Sequence, residues 1–143
     1  MLDLEDKLAI NELINLYAHI IDRQAFSDLD QIFTADAVFD LTGFQAGPVY
    51  GGLIAIVAMM QTSTQHPVAH HATNIVINPP YTKSHSTHEI LVESKGIGVG
   101  RNGRVGSVVY KDVLIKLKEP VINGQWRIQH RTVQHLVEPG SQT

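Results

Sequence analysis

Eight histidines stand in this chain: His19, His66, His70, His71, His85, His88, His130 and His135. Two of them are adjacent in "AHHATNIV", residues 69–76, ahead of an apolar stretch. A neutral imidazole can act as a base near neutral pH, ligate a metal, or sit as a polar patch on a strand. A metal site needs three or four converging ligands. No H-E-x-x-H is present. On a strand successive side chains alternate, so His70 and His71 point to opposite faces, and His85 and His88 diverge on an extended chain. No metal site is therefore expected. Strand parity groups His70 with Ala72, Asn74 and Val76, and His71 with Thr73, Ile75 and Ile77. Both faces mix polar and apolar residues, so parity alone does not name the inward histidine.

Two further groups hold chemistry. Asn11, Asn15, Ala18 and Asp22 share one stripe of an N-terminal helix. Tyr17 lies about 140° round from Asp22 at about 100° per residue. It belongs with the apolar side, where a buried phenol needs a partner. Asp22 by itself reads as a solvent-facing residue near a helix end. In the last strand Trp126, Ile128, His130 and Thr132 form a core-like set, opposite Arg127, Gln129, Arg131 and Val133. Arg131 reaches an interior pocket only if the strand bulges and switches faces.

The elements that must position these residues are legible in outline. Asp3 can cap a first helix, with Asp6 as its capping-box partner. Leu8, Leu13, Tyr17, Ile20 and Ile21 recur at helical spacing. "SDLDQIF", 27–33, predicts a short second helix capped by Ser27. "AVFDL", 37–41, alternates like a strand. "GPVYGG", 47–52, reads as a turn, and "LIAIVAMMQ" after it as a helix apolar all round and hence buried. Strands are expected at 68–77, 87–99, 105–118 and 125–137. "RNGR", 101–104, predicts a type I′ hairpin, and "VINGQW", 121–126, a second Asn-Gly turn. Helices first and strands later mean an α+β fold. The picture is a curved antiparallel sheet closed by N-terminal helices, with a pocket between them.

Composition narrows the functions. A chain of 143 residues suits a single domain spanning 1–143. Net charge is −3 and no Lys/Arg block occurs, so nucleic acid is not an expected partner. Cysteine is absent, which excludes disulfides, thiolate metal sites and a cysteine nucleophile. The longest apolar run, 53–60, is far short of the roughly 20 residues of a membrane helix. The acidic start lacks the layout of a signal peptide. The cytoplasm is the expected location, with no membrane association.

"AINELINLYAHIIDRQAFSDLDQIFTADAVFDL", 9–41, resembles the opening of SnoaL-like proteins of the nuclear transport factor 2-like superfamily. "YGG" before the apolar helix, "HHATNIVI" and the ending "GQWRIQHRTV" continue the resemblance over nearly the whole chain. It implies a cone-shaped α+β fold, in agreement with the elements above. The superfamily includes dehydratases, a dehydrochlorinase, isomerases, polyketide cyclases, an epoxide hydrolase and non-catalytic dioxygenase subunits, so fold alone does not assign activity. In the dehydratase and dehydrochlorinase branch a helix-1 aspartate pairs with a histidine four residues before an asparagine-like position. Those positions here are Asp22, His70 and Asn74. Bile acid dehydratase carries a tyrosine where Tyr17 stands. The last-strand arginine of the dehydrochlorinase falls on Arg131. The dehydrochlorinase has lysine in place of Tyr17, which points away from dehydrochlorination.

The resemblance implies a cofactor-free elimination on a small hydrophobic, cyclic substrate. His70 is the expected base, Asp22 its orienting partner, Tyr17 a hydrogen-bond donor and Arg131 a support for a developing anion. Asn74, Tyr50, Leu53, Val57, Met60 and Trp126 are the expected substrate-binding residues. Alternatives are an isomerase or polyketide-cyclase-type enzyme using the same base, and a non-catalytic binding protein or dioxygenase small subunit. Val109, Val113 and Ile115 on the sheet's outer face suggest a subunit interface. The resemblance implies a homotrimer or a dimer.

Overall fold

A computed structural model describes residues 2–63, 66–83, 88–118 and 125–136. The expected Asn-Gly turn at Asn123, His85, and the outer ends of the strands expected at 87–99 and 125–137 lie outside them. Helix α1 spans Leu4–Asp22. A 3-10 helix follows at Phe26–Gln31. Strands β1 (Phe33–Gly43) and β2 (Val49–Gly51) precede helix α2 (Leu53–Thr62). Strands β3 (Ala69–Ile77), β4 (Ile90–Val99), β5 (Val105–Lys116) and β6 (Trp126–His135) complete the fold. Among the described residues the class is α+β, a curved six-stranded sheet that does not close, with three helices. No described helix is long and apolar enough to cross a membrane.

Asp3 caps α1 as expected, its carboxylate accepting the Asp6 N–H at 2.8 Å. Asp6 reciprocates weakly, the Asp3 backbone N–H being the smallest of the influences that lower its pKa. Its carboxylate accepts from Trp126 Nε1 at 2.9 Å and Lys116 Nζ at 2.8 Å, tying the start of α1 to the sheet. The buried stripe of α1 starts at Ile10 and runs through Leu13, Ile14, Tyr17, Ile20 and Ile21, while Leu8 is exposed. The 3-10 helix starts at Phe26 and has no side-chain cap, so Ser27 does not play that part. Helix α2 is not buried all round. Ile56 and Met60 enter the core and Ile54 is 89% exposed.

The sheet order is β2-β1-β6-β5-β4-β3. Four neighbouring pairs are antiparallel, but β1 and β6 run parallel. The first and last strands meet at the centre of the sheet after a long crossover, which does not oblige them to run in opposite directions. The "RNGR" hairpin also departs from expectation. Gly103 has φ +78° and Asn102 is not left-handed. Gly103 N–H donates to Gly100 O at 3.0 Å, and Gly100 N–H to Arg104 O at 2.8 Å. This is a type I turn followed by a left-handed glycine, the three-residue alternative to a type I′ hairpin.

Two bulges decide which side chains face α1. In β3, two residues oppose Ser94 between Thr73 and Val76, and Asn74 is left-handed at φ +54°. The bulge turns Ile75 and Ile77 inward and leaves Asn74 and Val76 exposed. In β6, Gln129 is the extra residue between the Val113–His130 and Leu114–Ile128 pairs. Ile128 and Arg131 therefore both face the interior, and His130 does not.

Candidate active site

The last residue of α1 meets the start of β3. His70 Nδ1 lies 2.6 Å from Asp22 Oδ1. The His70 backbone N–H also donates to both Asp22 oxygens at 3.0 Å. The carboxylate only accepts, so the ring proton sits on Nδ1 and the Nε2 lone pair is left for chemistry. The two side chains keep 13% and 25% of their exposure, for His70 and Asp22 respectively, so the pair is reachable from solvent. His71 is exposed on the opposite face.

Register extends the His70 face across the sheet. His70 pairs with Gly98 and Ala72 with Gly96. Gly96 pairs with Val108, Ser94 with Tyr110, and Asp112 with Arg131. Paired residues share a face, so His70, Ser94, Tyr110, Asp112 and Arg131 all lie on the side covered by α1. The glycines are spatially required. A Cβ on Gly96 would sit 2.4 Å from Tyr110 Cε2, and one on Gly98 would sit 2.7 Å from Pro67 Cγ.

At the inner end Arg131 is wholly buried. Its Nε and Nη2 each donate to Asp112 at 2.8 Å in a bidentate pair. The guanidinium is sandwiched between two rings, 4.3 Å from the centroid of Tyr17 and 4.2 Å from that of Tyr110. Burial works against the Arg131 charge, but Asp112 outweighs it and holds the cation charged. Burial drives the Tyr17 phenol upward, and the Tyr110 phenol in contact adds to this against the opposing pull of Arg131. Both tyrosines stay neutral O–H groups at physiological pH. Arg131 lies over the Tyr17 ring face, and its Nη1 makes no hydrogen bond.

Four residues of this region have no role in the sequence-based expectation. Asp112 carried a readable signal, since a carboxylate in register between Tyr110 and Leu114 on an inward face requires a cation. Tyr110 followed the same alternation. Ser94 and His66 gave none. His66 precedes β3, seated by Pro67 against Gly98. Its ring centroid is 5.9 Å from that of His70, and its Nε2 is buried without a partner. Burial, with a smaller effect of His70, lowers the His66 pKa and keeps it neutral.

Other expected residues fall elsewhere. Asn74 is exposed on its bulge and accepts from Thr73 Oγ1 at 3.0 Å, so it does not share the face of His70. Trp126 packs beside Asp6 at the opposite end of α1 from Asp22, roughly 24 Å away along the helix axis at about 1.5 Å per residue. It lines an open groove of about 790 Å³ with Asp6, His88 and Lys116, which His70 does not reach. Tyr50, Leu53, Val57 and Met60 pack into the core from β2 and α2. Helix α2 rests on the 3-10 helix, β1 and β2, and β3 is at the other edge of the sheet. On the outer face Val109 is closed off within the chain, while Val113 and Ile115 stay half-covered. Among the described residues no three His, Asp or Glu side chains gather to hold a metal.

No curated protein matches the chain. Among solved structures, a candidate aromatic ring hydroxylase from Novosphingobium aromaticivorans is 26% identical, with a TM-score of 0.71 over 96% of this chain and 93% of that one. A candidate scytalone dehydratase from the same organism is 20% identical, with a TM-score of 0.70 over 94% and 86%. A hexachlorocyclohexane dehydrochlorinase from Novosphingobium barchaimii is 16% identical, with a TM-score of 0.69 over 94% and 88%. These last two likenesses are of fold. The SnoaL-like domain matches residues 2–132, and the chain belongs to that family.

Proposed function

We propose that this protein is a cofactor-independent lyase that eliminates water from a small, hydrophobic, cyclic substrate. The observation that carries the reading is the Asp22–His70 pair, closed at 2.6 Å on Nδ1 with Nε2 left as the base. His70 Nε2 takes a proton from carbon. The C–H electron pair becomes the new double bond as the C–O bond breaks. The departing hydroxide takes the proton back from the imidazolium and leaves as water. Asp22 fixes the tautomer and stabilises the imidazolium while it exists, as the aspartate of a triad does. Tyr17, held as a neutral O–H, is a donor to substrate oxygen, and such a preorganised donor contributes ~3 kcal/mol. Arg131 is paired with Asp112 at the inner end, and its role here is to hold Tyr17 between the guanidinium and the core. The likeness to scytalone dehydratase agrees with this reading in fold.

The test is a panel of cyclic β-hydroxy ketones, followed by the absorbance of the conjugated enone formed. His70-dependent enone formation supports the reading. A panel with exchange of the carbon-bound proton but no enone indicates an isomerase that uses the same base.

The likeness to a candidate aromatic ring hydroxylase favours a second reading, a non-catalytic subunit of such an enzyme. Stable co-purification with a larger chain, and no turnover, is the outcome that supports it.

A further inference from the structure

The residues that lead into β3 hold one side chain against the base. Pro67 fixes its own φ and biases His66 toward extended backbone. Its Cγ fills the space over Gly98, where a Cβ would come within 2.7 Å. Val68 N–H donates to Val99 O at 2.9 Å. These two contacts pin the approach to the sheet and carry His66 beside His70, with ring centroids 5.9 Å apart and planes at 60°. His66 Nε2 is buried and has no hydrogen-bond partner among the described residues. In the imidazolium form that atom would be an N–H with neither water nor acceptor, and a charge on His70 opposes a second one here. The His66 ring therefore stays uncharged. On another side of His70 stands the Asp22 carboxylate, 2.6 Å from Nδ1. The remaining neighbours bring no charge against the ring. Gly98 lies across the register on β4, His71 and Lys95 belong to the opposite face, and His19 and Arg23 at the end of α1 are exposed.

We propose that His66 is a positioning residue for the base: its uncharged ring walls one side of the His70 imidazole, confines it against Asp22 and keeps water from the imidazolium. The inference rests on the lyase reading for the part of His70 as base. A carboxylate at 2.6 Å favours the charged imidazolium, a form that cannot accept a proton from carbon. A neutral wall acts the other way, because it displaces water that would solvate the charge. Asp22 selects the tautomer, and His66 limits how far that carboxylate favours the charge. Loss of the His66 ring has a definite sign. Water reaches His70 while Asp22 stays, so the imidazolium is favoured and the free base is reached only at higher pH. His71, the next residue along β3 but on the other face, is the internal reference.

The test is the pH titration of the His70 and His71 ring signals by NMR in the full chain, with His70→Asn to assign the first. In His66→Ala the His70 midpoint is expected about one pH unit above that of the wild type, a perturbation of ordinary size in a folded protein. His66→Phe, which keeps a ring in the same seat, is expected to restore most of the wild-type midpoint. His71 is expected to titrate alike in all three chains. On any β-hydroxy ketone turned over, the acid limb of kcat/KM is expected to move with the His70 midpoint. A merely structural role lowers the urea midpoint and leaves the His70 titration where it is. An unmoved His70 midpoint in His66→Ala, or a shift as large in His66→Phe, overturns the proposal. If His66→Ala does not fold, His66→Asn takes its place with the same expected shift. A His70 midpoint that moves as expected in a chain without turnover keeps His66 in its place beside the imidazole and loses the lyase.

Discussion

Asp22 grips His70 at two points, through the ring at 2.6 Å and through the backbone N–H at 3.0 Å. The same carboxylate that orients the imidazole thus docks the start of β3 onto the end of α1. A change at Asp22 acts on both. Asp22→Asn keeps an acceptor for the backbone N–H but no longer selects the Nδ1–H tautomer. Turnover is expected to fall by orders of magnitude, with far-UV circular dichroism unchanged. Asp22→Ala is expected to lower the urea midpoint as well, because the backbone contact goes too.

Arg131 and Asp112 form a wholly buried pair, and removing one partner strands the other charge. Asp112→Ala is expected to cost about 3–5 kcal/mol in urea unfolding. The double change Arg131→Met with Asp112→Leu is expected to recover most of that loss, since an apolar pair of similar volume avoids the desolvation penalty. The same double variant is expected to lose turnover. Recovery of both stability and turnover contradicts a functional role for Arg131.

Tyr17→Phe separates chemistry from packing. The ring contacts with Phe33 at 6.0 Å and Tyr110 at 6.1 Å survive the change. Stability is expected to shift by less than about 1 kcal/mol. Turnover is expected to fall on the order of a hundredfold, in line with the loss of one preorganised donor. An unchanged kcat removes Tyr17 from the mechanism.

His66 gives the fold a pH dependence with a definite sign. Its pKa is lowered in the folded chain, so between that value and an unfolded value of about 6.5 the unfolded chain binds the extra proton. Stability therefore falls as pH drops below about 6.5 and is fully present above it. Unfolding midpoints in urea from pH 7.5 to 5.5 measure this. His66→Phe is expected to flatten the curve across that window, and an identical slope in the variant assigns the effect to another group.

Trp126 is predicted to matter for folding alone. It braces Asp6 and Lys116 at the far end of α1 from the dyad. Trp126→Phe removes the bond to Asp6 and is expected to lower thermal stability without moving KM for a turned-over substrate.

How far the sequence carried is clearest at the bulges. Periodicity located α1, a continuous apolar run located α2, and β-branched runs located β3 to β6, because those signals extend over many residues. Arg131 lay on the wrong parity for a pocket until Gln129 was inserted against β5, and Asn74 left the face of His70 for the same kind of reason. A single extra residue carries almost no signal in composition, yet it reverses every side chain beyond it. Trp126 read as part of an apolar wall because alternation tells which face a residue takes, not how far along the strand the site lies. Asp22 looked solvent-facing because its partner is 48 positions away in sequence. The family resemblance, rather than periodicity, named that pair, and the fold brings it together.

The most direct test of the central claim is a paired comparison of His70→Ala and His71→Ala with the wild type, on any β-hydroxy ketone that the protein turns over. The two residues are neighbours on opposite faces of β3, so losses from general damage to the strand appear in both. Initial rates of enone formation are expected to fall by at least about a hundredfold in His70→Ala, in line with the loss of a general base, and to stay within twofold in His71→Ala. A silent His70→Ala, or an equal loss in both, contradicts the assignment of His70 as the base.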